Sequence, residues 1–397
     1  MPIQNKRIHL ESLGKVHSAF RTLIAYPPEG YEFFLSRDSR NSFWRNLAYN
    51  HFVIGTYDTF ARVGLVPWKI VSNASNSFKT RPTNADLTFS CGQVVLRNEP
   101  WVVEIEWVTQ LAGFSLRELI RRKEFIEDLL ASDNCKRIIC MCELTRQSAM
   151  YHLDCNGIGP KLETLYRVVP PKKFARNYEK KGRARILFVG TSNVRNSFAE
   201  EKGGLELLEA IRLLNREHAK DLEFVIRSKI PRRVSVSYRD VLGSSNVRVI
   251  QDVIPMSNLE MEFELADIFL LPAHHTPSLA FLDAMSYELP VVTLDSWANS
   301  EIVTDGRTGF LVALPTRFEI PAHDFVPFCK YPVKRVPRKV DSETVETLAD
   351  RVMTLVDDIE LRRKMGEAGR SEVERGRFSI KVRNEKLKRI LDGAVYG

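Results

Sequence analysis

Residues 266–312 read ADIFLLPAHHTPSLAFLDAMSYELPVVTLDSWANSEIVTDGRTGFLV. A short apolar run, IFLLP, is followed by two histidines and by a helical stretch that carries a single acid, Asp283. A second apolar run, PVVTL, comes next, and an Asp-Gly turn at 305–306 leads into a third. Short apolar runs that alternate with helical stretches are typical of buried parallel strands between helices. The stretch therefore predicts an α/β fold with a ligand site at the carboxyl ends of its strands.

The same alternation extends over most of the chain. In residues 184–270 the runs ARILFVG, LEFVIRS and NVRVIQDVI predict strands, and LELLEAIRLLNREHA has the apolar period of an amphipathic helix. The first half has strand candidates RIHLES, YEFFLS, WKIVS, ADLTFSCG, WVVEIEW and RIICMCE, and helix candidates LRELIRRKEFIEDLLA and ELTRQSAMYHL. We therefore predict two Rossmann-like domains, each built on a parallel sheet.

A stretch rich in proline and charge, VPPKKFARNYEKKGRAR, separates the two halves and predicts a linker. Residues 313–340 contain five prolines and predict an irregular excursion. The expected parts are an N-terminal domain at 1–170, a linker at 171–183, a second domain at 184–375 and a basic helix within 376–397. We expect this last helix to pack back toward the N-terminal domain.

Composition places the chain among globular proteins of ordinary type. Of its 397 residues 44% are hydrophobic and 27% are charged, and no uncharged run is long enough to predict a transmembrane helix. The N-terminus lacks an apolar run after its basic pair, so we expect no signal peptide and a cytoplasmic location by default. The six cysteines form no paired CxxC pattern, so no metal site is predicted.

The positive charge is concentrated in the first half. Residues 1–178 contain 24 Lys and Arg against 17 Asp and Glu, so +7 of the net +8 lies there. This excess favours an acidic partner, such as an anionic membrane surface at which the protein would be peripheral, a phosphorylated acceptor or nucleic acid. The alternative is an ordinary basic surface. Because the chain lacks aromatic and glycine nucleic-acid motifs, no nucleic acid is expected.

A helix start at Thr276-Pro277 directly follows a predicted strand. Thr is a good N-cap and Pro suits the first helical position, so the helix would begin at Ser278 and Leu279. Free amides at such a start face an anion favourably, which suits a diphosphate. A helix start after a strand is common in α/β proteins, so this feature alone does not define a site.

The order of these pieces resembles family 4 of the retaining, GT-B-type glycosyltransferases, also described as glycosyl transferases group 1. The resemblance covers roughly residues 184–312 and 341–393. The chain keeps Phe188-Val189-Gly190, Lys202-Gly203, Asp283-Ala284-Met285, Pro290-Val291-Val292, Glu301-Ile302-Val303, Asp305-Gly306-Arg307-Thr308-Gly309-Phe310-Leu311-Val312, Glu360-Leu361-Arg362 and Met365-Gly366.

This resemblance implies a GT-B fold, in which two Rossmann-like domains with parallel sheets face each other across a central cleft. It implies that the domain at 1–170 is the acceptor side and that the domain at 184–375 binds the nucleotide sugar. It also implies transfer of a sugar, with retention at the anomeric carbon, from a nucleoside-diphosphate sugar to a glycan, lipid-linked or other hydroxyl acceptor. The donor is a substrate, and no cofactor or metal is expected beyond it. The sugar, the base, the acceptor and the oligomeric state do not follow from the sequence.

The resemblance assigns donor-binding roles to individual residues. Asp283 occupies the position of an acid that binds the ribose hydroxyls, and His275 that of an acid that contacts the donor sugar. Lys202, before Gly203, is one of two cations for the diphosphate. The other position, after Gly190, is Thr191 instead of Arg, so the charge would come from residues nearby in the same domain: Arg195, Arg227 and Lys229.

In relatives a first-domain histidine faces the sugar from the end of a central strand. The corresponding strand here is WVVEIEW, and Glu106 near its end is the candidate to orient or deprotonate the acceptor. The alternative is a structural or solvent-facing Glu106.

The departures from the family pattern fall around the expected donor site. They are His275, Glu288 where a glycine precedes Pro-Val-Val, and Trp297-Ala298 in place of a glycine pair. They favour an unusual donor. Two alternatives remain open, a non-catalytic GT-B relative that binds nucleotide sugar or acts in an assembly, and a nucleotide-sugar epimerase of similar fold.

Overall fold

A computed structural model describes residues 5–11, 18–35, 84–112, 116–178, 182–191, 197–276, 278–315 and 340–397. The strand predicted at WKIVS, the donor-site candidate Arg195 and the helix-start residue Pro277 lie outside the described residues.

Twelve strands occur within the described residues. They are β1 (Lys6–Glu11), β2 (Tyr31–Phe34), β3 (Leu87–Cys91), β4 (Trp101–Ile105), β5 (Cys135–Cys140), β6 (Leu162–Thr164), β7 (Ala184–Val189), β8 (Leu222–Arg227), β9 (Val247–Ile250), β10 (Ile268–Leu270), β11 (Val291–Leu294) and β12 (Gly309–Val312). Every strand pairing within each sheet is parallel.

The α-helices of the same residues cover the sheets. They are α1 (Ser18–Ala25), α2 (Leu116–Arg121), α3 (Lys123–Ala131), α4 (Glu143–His152), α5 (Cys155–Ile158), α6 (Ser197–Glu200), α7 (Gly204–Leu214), α8 (Arg232–Ser237), α9 (Arg239–Leu242), α10 (Met256–Leu265), α11 (Ser278–Ser286), α12 (Asn299–Ile302), α13 (Ser342–Asp357), α14 (Ile359–Glu374) and α15 (Ile380–Val395). Short 3₁₀ turns lie at Val108–Ala112 and Gly159–Lys161.

The first compact unit contains the described residues up to Arg167 together with Ile380–Gly397. Its sheet has the order β2-β1-β3-β4-β5-β6. Strand β4 is buried along its whole length, as expected for a central parallel strand covered on both faces. Helix α15 contributes Leu387, Ile390 and Leu391 to the core on one face of this sheet.

The second compact unit contains the described residues of 168–315 and 340–379. Its sheet has the order β12-β11-β10-β7-β8-β9, so the direction of the chain along the sheet reverses between β7 and β10. In open parallel sheets the loops after the two strands at such a reversal diverge and leave a crevice for ligands. The predicted α/β architecture of two Rossmann-like parallel sheets is confirmed.

The segment 172–178, within the stretch predicted as a linker, is fixed to the second unit. Arg176 donates to the carbonyls of Tyr287 (2.6 Å) and Phe263 (3.1 Å), and Arg370 donates to the carbonyl of Lys172 (3.0 Å). Lys172 also forms an ion pair with Glu260, at 2.6 Å. Hydrogen bonds from guanidinium groups to backbone carbonyls give this charged segment a defined path without strand or helix.

Two local predictions differ from the structure. The stretch LRELIRRKEFIEDLLA forms two helices, α2 and α3, separated at Arg122, whose φ of −118° is not helical. The break lets α2 pack against the 3₁₀ turn at 108–112 while α3 packs on β5. The loop predicted between Thr191 and Gly204 contains the single helical turn α6.

The residue directly before helix α7 is a glycine that the fold requires. Gly203 has a φ of 65°, in the left-handed region, and a Cβ at this position would overlap the carbonyl group of Pro272 in the loop after β10. Gly306 has a similar φ of 69°, but nothing lies near the position of its missing Cβ. The two glycines therefore separate the cost of backbone strain from the cost of steric overlap.

We expect Gly306→Ala to lower the free energy of unfolding by about 1 kcal/mol, the cost of left-handed backbone in a residue with a Cβ. Gly203→Ala is expected to cost about 3 kcal/mol, because the Pro272 carbonyl must also move. Urea denaturation of both variants provides the measurement. Equal losses for the two variants would show that the approach of Gly203 to Pro272 is not a constraint.

Candidate functional site

Loops after two neighbouring strands, β7 and β8, meet at the carboxyl edge of the second sheet. Gly190 and Thr191 follow β7, Arg227 ends β8, and Lys229 comes two residues later. The Gly190 amide donates to the carbonyl of Arg227 (2.8 Å), and the Lys229 amide donates to that of Thr191 (3.2 Å). The structure therefore brings these four predicted donor-site residues together.

Gly190 is required where the β7 loop passes the β8 loop. A Cβ at Gly190 would overlap the side chain of Ser228, which is buried and donates its hydroxyl to the carbonyl of Thr191 at 3.3 Å. The guanidinium of Arg227 donates to the Gly190 carbonyl at 3.3 Å, and burial lowers its pKa. Both side chains hold the backbone of the β7 loop in place.

The loop after β10 crosses the chain reversal and contacts the turn before α7. The amides of His274 and His275 both donate to the carbonyl of Glu201, at 2.9 and 3.3 Å. Glu201 directly precedes Lys202, whose side chain is half-buried. The predicted phosphate cation Lys202 and the predicted sugar-contacting residue His275 are thus held close along the backbone.

The loop after β11 closes over the same region. Ser296 donates to the carbonyl of His274 (2.9 Å), and the buried Asn299 donates to that of Ala273 (2.7 Å). The Ala298 amide donates to the hydroxyl of Thr276 at 2.9 Å. Thr276, predicted as an N-cap of α11, therefore also fixes the loop that replaces the family's glycine pair.

Both non-glycine residues with left-handed backbone occur where the family pattern has glycine. Among the described residues these are Glu288, with a φ of 55°, and Trp297, with a φ of 51°. Glu288 is held by an ion pair with Arg370 (2.9 Å) and by the hydroxyl of Tyr178, which donates to it at 3.1 Å. The Trp297 ring lies 6.4 Å from that of His275. These contacts offset a backbone conformation that normally disfavours a residue with a side chain.

Asp283 lies on α11, in the helix that begins at the edge of the sheet with the buried Ser278 and the half-buried Leu279. Burial of its carboxyl raises its pKa to about 6, although Lys172 lowers it, and Glu260 raises it further. No hydrogen bond to this carboxylate comes from the described part of the chain. A partly buried carboxylate that lacks donors is suited to hydroxyl groups of a ligand.

Glu106 lies in the first unit, one residue after β4. Its amide donates to the side chain of Gln110 (2.9 Å), and its carbonyl accepts from the hydroxyl of Thr145 (2.9 Å). The half-buried Arg167 lies between two acids: its Nε donates to Glu104 at 3.1 Å, and its Nη1 is 3.6 Å from Glu106. Arg167 thus holds the Glu106 carboxylate beside the strand end, a contact that sequence reasoning missed.

Residues 183–319 match the family model of the Glycosyl transferases group 1. No curated protein sequence matches the chain. Among solved structures, HepE of Anabaena in complex with UDP is similar over 98% of this chain and 99% of its own, at 14% identity and a TM-score of 0.58. WaaG, a glycosyltransferase involved in lipopolysaccharide biosynthesis, is similar over 97% and 99%, at 14% identity and a TM-score of 0.56.

A structure of TarM from S. aureus, in complex with fondaparinux, alpha-GlcNAc-glycerol and UDP, is also similar. The match has 15% identity and a TM-score of 0.53, and it covers 81% of this chain. The chain spans about half of the TarM length, 54%. The fold is GT-B. The resemblance predicted from the sequence is thereby confirmed, and the segment matched by the family model contains all the predicted donor-site residues.

Two further observations apply to the described residues of this GT-B chain. None of its helices combines the length and the apolar character that a membrane span requires. No three His, Cys, Asp or Glu side chains among them lie close enough together to hold a metal ion.

Replacing Asp283 with Asn tests whether its carboxylate is destabilising in the folded chain. The pKa of Asp283 rises from 3.8 to about 6 on folding, so the native state binds more protons in this range and stability falls as pH rises through it. Above pH 6 the charged Asp283 carboxylate lowers the free energy of unfolding by up to about 3 kcal/mol. We expect Asp283→Asn to raise the free energy of unfolding at pH 7.5 and to leave it unchanged near pH 3.5.

Chemical denaturation at the two pH values measures this difference. Glu264→Gln, at an exposed acid on α10, is the matched control and should change stability little at either pH. A loss of stability in Asp283→Asn at pH 7.5 would mean that the carboxylate has a partner in the folded chain, contrary to this expectation.

Proposed function

We propose that this protein is a retaining, hexosyl-type glycosyltransferase that moves a sugar from a nucleoside-diphosphate sugar to a hydroxyl group of a glycan or lipid-linked acceptor. The observation that carries the proposal is the placement of cationic residues along the carboxyl edge of the second sheet. Lys202 lies between β7 and α7, and Arg227 and Lys229 lie at the end of β8, all within the segment that matches the glycosyl transferases group 1. A site of this charge at the carboxyl edge of a parallel sheet suits a diphosphate.

The donor would bind along the carboxyl edge of the second sheet. In this proposal its diphosphate lies at the start of α11, near the amides of Ser278 and Leu279, with Lys202 and one arginine as cations. The ribose hydroxyls would donate to the Asp283 carboxylate, which accepts no hydrogen bond from the described residues. UDP is present in the HepE and TarM complexes, which supports a nucleotide in this kind of fold.

Transfer breaks the bond between the anomeric carbon and the diphosphate oxygen, and it forms a bond from that carbon to the acceptor oxygen. The nucleoside diphosphate leaves with the electron pair and its developing negative charge. Lys202 and the arginine that serves as the second cation would stabilise that charge, because both are held in position before the bond breaks. Protein cations in this role make a metal ion unnecessary in the proposed mechanism. His275 would orient the sugar through a hydroxyl group.

Glu106 is the proposed group that orients or deprotonates the acceptor. Its position beside a strand end in the first unit and its contact with Arg167 support a fixed carboxylate. The excess positive charge of the first half suits an acceptor that is itself anionic or is presented at an anionic membrane surface.

One observation favours a non-catalytic relative that binds nucleotide sugar as the second candidate. The Ala298 amide, at the position of a family glycine pair, already donates to Thr276, and Trp297 with its large ring lies beside His275. Such a chain would bind a donor without turnover, so donor binding and transfer are measured separately.

Lys202→Ala tests donor binding. We expect UDP, or another nucleoside diphosphate, to raise the melting temperature of the wild-type protein, and the variant to bind it at least about tenfold more weakly for loss of a charge-assisted hydrogen bond. Thermal shift with UDP-glucose, UDP-N-acetylglucosamine, GDP-mannose and ADP-glucose identifies the donor first. Lys220→Ala, at an exposed lysine before β8, is the control. Equal affinity in both variants would remove Lys202 from the phosphate site.

Glu106→Gln tests turnover. Nucleotide release with a panel of glycan and lipid-linked acceptors finds an active pair, and NMR of the product reports whether the anomeric configuration is retained. We expect kcat to fall about 100-fold while the KM for donor changes little, because the acid acts on the acceptor. Glu163→Gln on β6 is the matched control. Donor binding without turnover for any acceptor would favour the non-catalytic alternative.

A further inference from the structure

A histidine and a glutamate connect the two sides of the chain reversal in the second unit. Glu206 lies in the first turn of α7, after β7, and His274 lies in the loop after β10. The His274 Nε2 is 2.8 Å from the Glu206 Oε1. The pair therefore lies at the sheet edge where the residues of the proposed donor site converge.

The environment of the pair favours a charged histidine. The Glu206 side chain is only 8% exposed, and its other oxygen, Oε2, has no hydrogen-bond partner within the described residues. A buried carboxylate with a single hydrogen bond is costly unless that partner is a cation. Burial of the imidazole opposes protonation, but the charge and hydrogen bond of Glu206 outweigh it and raise the pKa of His274.

The second ring nitrogen of His274 remains available. Nε2 carries the proton shared with Glu206, so Nδ1 of the imidazolium is a second N–H donor. The described residues provide no hydrogen bond to Nδ1, and the side chain is 19% exposed. The backbone amide of His274 is fixed to the carbonyl of Glu201, next to Lys202.

We propose that His274 is a phosphate-binding residue of the donor site, with its Nδ1–H donating to a diphosphate oxygen and Glu206 acting as the positioning residue. This inference rests on the proposed function. His274 would supply a second cation to a site in which Thr191 stands at the position where the family resemblance implies Arg. A histidine cation bound to a buried carboxylate donates in a fixed direction, which a flexible lysine does not.

The competing explanation is that the pair only ties the β10 loop to α7. Loss of the imidazolium charge distinguishes the two, provided that the tie is kept. His274→Gln introduces a side-chain amide that can still donate to Glu206 but carries no charge. Glu206→Gln keeps the imidazole and replaces its charged partner with a neutral one.

The pH dependence of binding gives a second readout. The charged groups on the elements that contact His274 are Glu206, Glu209 and Arg212 on α7, Glu201 and Lys202 before it, and Asp295 after β11. Of these, Glu206 affects the pKa of His274. Since that pKa is raised, the phosphate contact is present at low pH and is lost as pH rises through it. Glu206→Gln moves this loss to lower pH.

Isothermal titration of UDP, GDP and ADP into the wild-type protein selects the ligand that binds, and the matching nucleoside is titrated by NMR. We expect His274→Gln to weaken the nucleoside diphosphate about tenfold or more and to leave the nucleoside unchanged. The difference between variant and wild type should disappear above the pKa of His274. His218→Gln, just beyond the C-terminal end of α7, is the control. The melting temperatures of all variants show whether they fold.

Unchanged diphosphate affinity and an unchanged pH profile in His274→Gln would overturn the inference and leave a structural tie. If His274→Gln does not fold, Glu206→Gln decides, because an unshifted pH profile in that variant has the same meaning. Absence of binding of all three nucleoside diphosphates to the wild-type protein would instead refute the proposed donor site, and this assignment with it.

Discussion

The contact between the turn before α7 and the loop after β10 is the constraint on which the geometry of the proposed donor site depends. One carbonyl, that of Glu201, accepts from the amides of both His274 and His275. Two residues later comes Gly203, whose lack of a side chain lets the backbone pass close to the carbonyl of Pro272. The loops on either side of a chain reversal normally diverge. Here they are tied at one point, which fixes the spacing between Lys202 and the histidines.

Elsewhere in the second unit the chain supports backbone conformations that its side chains disfavour, at Trp297 after β11 and at Glu288 before it. Because Glu288 precedes β11, it lies at the amino edge of the sheet and not around the predicted donor site. Glu288 and Trp297 both lie in the left-handed region, where the family pattern has glycine. At Glu288 the ion pair with Arg370 and the hydrogen bond from Tyr178 supply the support, and Arg370 also donates to the carbonyl of Lys172. The same arginine therefore secures a strained turn and an extended segment. A substitution that would appear to disrupt the family pattern thus serves to organise this part of the fold.

The fold and the site differ in how far the sequence predicts them. Strands such as β7 and β8 follow from local apolar runs, and the glycine at 203 follows from a motif, so the architecture of the second unit was predictable. The pairing of Glu206 with His274 joins residues 68 positions apart, and no local pattern encodes it. Adjacent histidines at a strand end were the only signal. The division of the helical stretch at Arg122 likewise depends on what its two halves pack against.

The position of α15 has a consequence for the order in which the two units are completed during synthesis. Its residues Leu387 and Leu391 belong to the same core as Ile8 and Phe89, although the ribosome adds them after every residue of the second unit. The second unit has all its residues by Ser379. Domains fold as units as they emerge. The half of the chain made first therefore acquires its full core only after the other half has become able to fold.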